Sequence, residues 1–126
     1  MIASLARGLR LFSVFIMASW MLYSSMMKLV PYPGMEESFM VWGYEKWEMQ
    51  LIGVAELILA IAVFAKPTRN YAFVGLIFLM TGALYTHISN YEYEETGPAT
   101  WILVTSIVLL AWDVLALGKY FEKWTT

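Results

Sequence analysis

The chain contains no cysteine and a single histidine, His87. The first absence excludes disulfides, thiolate nucleophiles, cysteine-bound zinc and iron–sulfur ligation by this chain alone. The second excludes a haem held by two histidines of one polypeptide. Charge is scarce as well, at 14% of the 126 residues, and no basic cluster is large enough to grip nucleic acid. A phosphate-cradling glycine loop, an HExxH pair, a nucleophile elbow and a Ser/His/Asp constellation are all missing. No catalytic residue, metal site, haem site or nucleotide site is therefore assigned. Thioethers suit Cu(I), and Met17 and Met21 lie one helical turn apart with Met26 and Met27 nearby. Without cysteine or a second histidine beside them, these methionines are read as flexible filling between helices.

What the chain has in excess is apolar surface. Hydrophobic residues make up 60% of it, and the mean hydropathy is +0.62. One soluble core of this size cannot bury so much, whereas lipid accepts it. Four stretches reach the roughly 17–20 apolar residues that a helix needs to cross a bilayer. They run from Leu9 to Val30, Glu48 to Ala65, Tyr71 to Asn90 and Ala99 to Leu117. Pro31, Pro33 and Gly34 are expected to stop the first, Lys66-Pro67 the second, and Gly97-Pro98 to open the fourth. A cleaved signal peptide is the alternative for the first stretch. Its apolar run exceeds a usual h-region, and no small-x-small site ends it. The expected fold is a single all-α transmembrane domain over residues 1–126, a four-helix bundle.

Lys and Arg give the bundle a direction. Arg7, Arg10, Lys66, Arg69, Lys119 and Lys123 fall on one side of a four-span arrangement. Glu36, Glu37, Glu45, Glu48, Glu92, Glu94 and Glu95 fall on the other, with only Lys28 and Lys46. Both termini are thus expected in the cytoplasm of a multi-pass protein of a bacterial inner (plasma) membrane. The first outer loop, from Pro31 to Trp47, mixes aromatic residues with glutamates. It is expected to form a short amphipathic helix or a lid over the bundle. Trp42, Trp47, Tyr91, Tyr93 and Trp101 form an outer aromatic belt, and Tyr120 and Trp124 an inner one, read first as anchors to the interface.

Ionisable groups inside a membrane are costly and turn towards the bundle interior. Lys28 ends the first span and shares a face with Ser24, Ser25 and Met21. Glu56 lies eight residues below Glu48, about 12 Å down its helix, beside Gly53 and Ala60. His87 closes the third span next to Tyr85 and Thr86, along a stripe that includes Gly75 and Gly82. Small residues let helices approach closely, so these faces are expected to meet. The candidate ligand or proton-handling pocket comprises Lys28, Glu56, His87, Thr86, Ser25 and Tyr85, with Trp42, Tyr44 and Trp47 in the loop above it. The plainer alternative keeps Glu56 neutral or pairs it with Lys28 to fix packing, with His87 bonded to a backbone carbonyl. Asp113 is expected to pair with Arg7, Arg10 or Lys66.

Five segments carry a resemblance across nearly the whole chain, in order. They are FIMASWMLYSSMMKL (Phe15–Leu29), FMVWGYEKW (Phe39–Trp47), IGVAELILA (Ile52–Ala60), KPTR (Lys66–Arg69) and GALYTH (Gly82–His87). Together they resemble the DoxX-like family of small four-helix integral membrane proteins. Two departures stand out: Ser24-Ser25 where the family often has Ser-Gly, and Glu45 where it often has proline. The resemblance marks Lys28, Gly43, Tyr44, Gly53, Glu56, Thr86 and His87 as characteristic positions, and it implies a four-helix bundle rather than one reaction. Some relatives look like subunits of membrane oxidoreductases linked to quinone and sulfur chemistry, others like assembly factors. Three functions follow as expectations. The chain is an accessory or assembly subunit of a membrane complex, with another membrane subunit or a second copy as partner. Alternatively it is a quinone-reactive oxidoreductase subunit, with quinone as the candidate cofactor, or a small proton-coupled transporter.

Overall fold

The computed structural model describes residues 1–30 and 34–115. Among these residues there are five α-helices, one 3-10 turn and no strand. They are α1 (Ile2–Leu29), α2 (Met35–Val41), α3 (Lys46–Ala62), α4 (Arg69–Ser89), the 3-10 turn Tyr93–Thr96, and α5 (Gly97–Val114). Pro31 and Pro33, the expected stops of the first span, lie outside the described residues. So do Leu117, Lys119, Tyr120, Lys123 and Trp124.

Three helical stretches are long and apolar enough to cross a membrane: Ser4–Leu29, Arg69–Ser89 and Tyr93–Val114. Within them only 22%, 28% and 22% of the most apolar window is buried by the protein itself. The remainder, including Phe12, Phe15, Phe78, Val104 and Val108, faces outward. Side chains of that kind are stable outside a protein core only against lipid. The fourth expected span, 48–65, is represented by α3, whose 17 residues sit at the short limit for a crossing.

The helix ends differ from the expected ones for local reasons. α1 begins at Ile2 rather than near Leu9, because nothing in Ile2–Gly8 breaks a helix; the apolar stretch marks depth, not helix length. α3 starts at Lys46 because Glu48 reaches back to accept a bond from the Glu45 backbone N–H at 3.0 Å. It stops at Ala62, ahead of the Lys66-Pro67 stop. There the Thr68 hydroxyl donates to the Ala62 carbonyl at 2.7 Å, and Arg69 donates to the Val63 and Phe64 carbonyls at 2.9 and 3.1 Å. These bonds satisfy carbonyls that a further helical turn would otherwise have taken. The Lys-Pro-Thr-Arg turn is thus a C-terminal cap for α3 as well as a proline stop.

The bundle is assembled from two helix pairs, α1 on α3 and α4 on α5, with lighter α3–α4 and α1–α5 seams. Val14, Met17, Met21, Val63, Phe73, Leu76 and Ile102 fill its centre. The α1–α5 seam is joined by an ion pair from Arg10 Nη2 to Asp113 Oδ2 at 2.7 Å, among the partners expected for Asp113. Deeper in the same seam, the buried Ser106 hydroxyl lies 3.8 Å from the Met17 sulfur.

Two glycines set how closely α3 approaches its neighbours. A Cβ on Gly53 would lie 3.0 Å from Lys28 Cβ and 3.2 Å from Leu29 Cγ. One on Gly75 would lie 2.6 Å from Leu59 Cδ2, whereas one on Gly82 would meet nothing within 4 Å. Gly53→Ala should therefore lower stability by about 1–2 kcal/mol through overpacking. Gly82→Ala should leave stability unchanged or raise it slightly through helix propensity. Thermal unfolding of the two variants in one detergent checks the contrast.

Candidate functional site

The end of the bundle opposite the Arg10–Asp113 pair holds a cavity of about 500 Å³. Its walls come from α1, α2, α3, α4 and the 3-10 turn, and both Lys28 and Glu56 lie on them. Lys28 Nζ donates to Glu56 Oε1 at 2.7 Å and to Ser24 Oγ at 2.6 Å. The two charged side chains are 12% and 4% exposed, so this is a buried pair linking α1 to α3. The close approach at Gly53 makes it possible, by bringing the Lys28 backbone against α3. Ser24, one turn before Lys28, is the hydroxyl that completes the contact. Lys28 has three donors, of which Glu56 and Ser24 take two. The second carboxylate oxygen, Glu56 Oε2, is buried and has no partner. A buried acceptor in that state normally has water or a ligand beside it.

His87 stands on the opposite wall, and its ring is held by a turn. α4 ends in a Schellman motif: Glu92 N–H donates to the His87 carbonyl at 2.8 Å, and Tyr91 N–H to the Ile88 carbonyl at 3.1 Å. The motif requires a left-handed residue, and Tyr91 supplies it at φ 60°. That conformation costs a non-glycine residue about 1–2 kcal/mol. Its effect is to fold Glu92 back, so that Glu92 Oε1 lies 3.2 Å from His87 Nδ1. The ring is thereby anchored to Glu92 through Nδ1.

The roof is built the same way. α2 ends with the Tyr44 N–H donating to the Phe39 carbonyl at 2.8 Å and the Gly43 N–H to the Met40 carbonyl at 3.0 Å. Gly43, at φ 89°, takes the left-handed position without a steric penalty. This turn aims Tyr44 across the cavity, where its hydroxyl lies 2.9 Å from Thr86 Oγ1. Thr86 donates to the Gly82 carbonyl at 3.0 Å, so Tyr44 is the donor to Thr86. Trp42 meets the His87 ring edge-on at 5.2 Å between centroids. The buried Phe39 packs on Trp42 and Tyr44, with Lys28 Nζ 6.0 Å from its ring centre. Within the expected first loop, residues 34–45 thus form a short helix and a turn that cover one side of the cavity. Trp42, expected as an interface anchor, lines the cavity.

Of the expected residues, the fold brings Lys28, Glu56, His87, Thr86, Trp42 and Tyr44 to this cavity. Ser25 is fully buried and donates to the Leu22 carbonyl of its own helix at 2.9 Å, so it does not line the space. Tyr85 is 73% exposed, since neighbours on a helix point about 100° apart and Thr86 takes the inward direction. Trp47 is 59% exposed, and its indole N–H is tied to Glu45 Oε2 at 2.6 Å, away from the cavity. Residues that sequence reasoning passed over are Phe39, Ser38, Phe78 and Glu92. The five-residue spacing of His87 and Glu92 around a helix end was the one available signal.

Long apolar helices that bury so little of themselves, around an internal ion pair, define an integral membrane protein. The sequence profile of the DoxX-like family matches residues 12–110, and the chain belongs to that family. No curated protein and no solved structure matches it.

Removing one member of a buried ion pair leaves the other charge uncompensated, at a cost of about 3–5 kcal/mol. Lys28→Met and Glu56→Leu should each destabilise the protein strongly, Lys28→Met the more. The double variant Lys28→Met/Glu56→Leu should recover most of the loss. A double-mutant cycle of unfolding midpoints in detergent measures the coupling; additive losses would show that the pair contributes nothing.

Proposed function

We propose that the chain is a four-span subunit of a bacterial inner membrane, with both termini cytoplasmic, and that it is an accessory component of a membrane redox complex. In that role the cavity binds the polar head of a quinone-type compound. The observation that carries the proposal is the unpartnered Oε2 of Glu56, buried on a cavity wall whose other charged group, Lys28, keeps one donor in hand. One free acceptor beside one free donor suits a group that alternates between a carbonyl and a hydroxyl. The carbonyl takes the Lys28 proton donor; the hydroxyl donates to Glu56. His87 adds a second polar group to the lining, and Trp42 and Phe39 add aromatic rings that suit a flat ligand. Phe78, Leu79 and Ala83 complete an apolar lining of the kind small-molecule sites use.

The accessory role is supported by composition. The chain lacks cysteine, has one histidine, and shows no group of three or more candidate metal-ligating residues among the described ones. On this reading electrons reach the cavity from a partner subunit. Counting α3 as a short fourth span gathers Arg7, Arg10, Lys66 and Arg69 on one side, and the positive-inside rule then supports cytoplasmic termini.

Binding of decylubiquinone to the purified chain, read by the tryptophan quenching that Trp42→Phe abolishes, tests the cavity. Glu56→Gln should weaken binding at least tenfold, and His87→Ala severalfold. Unchanged affinity in both variants would remove the quinone reading. Purification in mild detergent should yield a stoichiometric membrane partner. A homogeneous preparation of this chain alone with its own turnover would remove the accessory role.

A further inference from the structure

The cavity lining reaches the surface of the protein at exposed residues of two opposite chemistries. One edge is formed by Glu92 and the exposed Glu95, past the end of α4. The other is bordered by Phe78 and Gly82, one turn apart on the same face of α4. Phe78 is 75% exposed although it lines the cavity, and Gly82 is exposed as well. Residues that are both exposed and on the lining mark the rim of the cavity. Phe78 lies eleven residues before Ser89, about 17 Å down the helix, well inside the apolar span.

The rim follows from how α3 and α4 cross. At Gly75 they touch so closely that a Cβ would lie 2.6 Å from Leu59 Cδ2. Two turns higher, at Gly82, a Cβ would meet nothing within 4 Å. The pair closes at Gly75–Leu59 and parts above it, leaving a gap beside the exposed Phe78. On the inner side of that gap stand Leu79, Ala83 and Ile52, and beyond them Glu56.

We infer that this gap is a lateral window, through which the ligand of the cavity enters from the bilayer and in which its hydrocarbon tail stays. The occupant is an amphiphile: a polar head at Lys28 and Glu56, and an apolar tail leaving between Phe78 and Gly82 into lipid. The alternative mouth is lined by carboxylates, which repel an anion and offer nothing to an alkyl chain. A water-borne ligand has no use for an opening at the depth of Phe78. Lateral access rests on the ligand-binding reading proposed above.

The absence of cysteine makes the window testable after folding. Phe78→Cys places a single thiol at its rim. It can be labelled in detergent with a bulky methanethiosulfonate, and the chain then returned to lipid nanodiscs. The label should slow association of decylubiquinone at least tenfold, and removing the label should restore the rate. The same label on Glu95→Cys, at the acidic mouth, should change the rate less than twofold. Gly82→Phe, which projects into open space, should slow association without label. If labelled Phe78→Cys and Gly82→Phe both bind at the wild-type rate, or if only the Glu95→Cys label blocks, the lateral route is overturned and the cavity keeps its ligand. If the wild-type chain does not bind the probe at all, the ligand-binding reading and the window fall together.

Discussion

The Lys28–Glu56 ion pair is the constraint on which the site depends. Two charges that would each be prohibitive alone inside an apolar bundle are held at 2.7 Å, and they join the end of α1 to the middle of α3. The approach that permits it needs Gly53, since any side chain there presses on Lys28 and Leu29. Once the pair forms, α1 and α3 are fixed in register, and one carboxylate oxygen is fixed facing a space it cannot satisfy from within the protein. A purely structural pair gains nothing from a buried orphan oxygen, because each unsatisfied acceptor costs free energy. On the proposed reading, the ligand of the cavity supplies the partner that this oxygen lacks.

The two walls facing this pair are positioned by turns, not by the bulk of the helices. Gly43 and Tyr91 both take left-handed backbone at a helix end, and each turn returns the chain so that the next side chain points back at the cavity. From Gly43 comes Tyr44, bonded to Thr86; from Tyr91 comes Glu92, bonded to His87. The lid and the end of α4 are therefore latched to each other through Tyr44–Thr86 and the Trp42–His87 ring contact. The glycine does this without a penalty. The tyrosine pays a conformational cost, and strain at such a position is commonly found beside functional groups.

The sequence made some of this legible and hid the rest for physical reasons. Intramembrane charge is so unfavourable that Lys28, Glu56 and His87 stood out from their surroundings, and small neighbours indicated which faces would meet. Asp113 and its basic partner were legible on the same ground. Direction around a helix was harder. Ser24 and Ser25, or Tyr85 and Thr86, differ by one residue, and only packing decides which turns inward. Ser25 satisfies itself within α1, and Tyr85 belongs to the outer surface. Glu92 was hidden because tyrosine does not announce a left-handed turn as glycine does. The true end of α3 was hidden because its cap is formed by side chains six residues ahead of the carbonyls they satisfy.

The cavity exists because the bundle is built from pairs that close unevenly. α1 holds α3 through Gly53 and the ion pair, and α4 holds α5 along its length, so the α3–α4 seam is left to fit whatever angle those pairings impose. It meets at Gly75 and opens towards Gly82. A soluble protein would fill such a gap or collapse on it, since water against Phe78, Leu79 and Ile52 is unfavourable. In a bilayer the driving force to close is weak, because lipid tails are as apolar as the walls. The same solvent that makes the central charges expensive thus makes the gap beside them cheap to keep open. A polar head group reaching the ion pair from lipid can use both facts: it leaves its tail where the bilayer already is, and it satisfies the oxygen that the fold leaves unpaired.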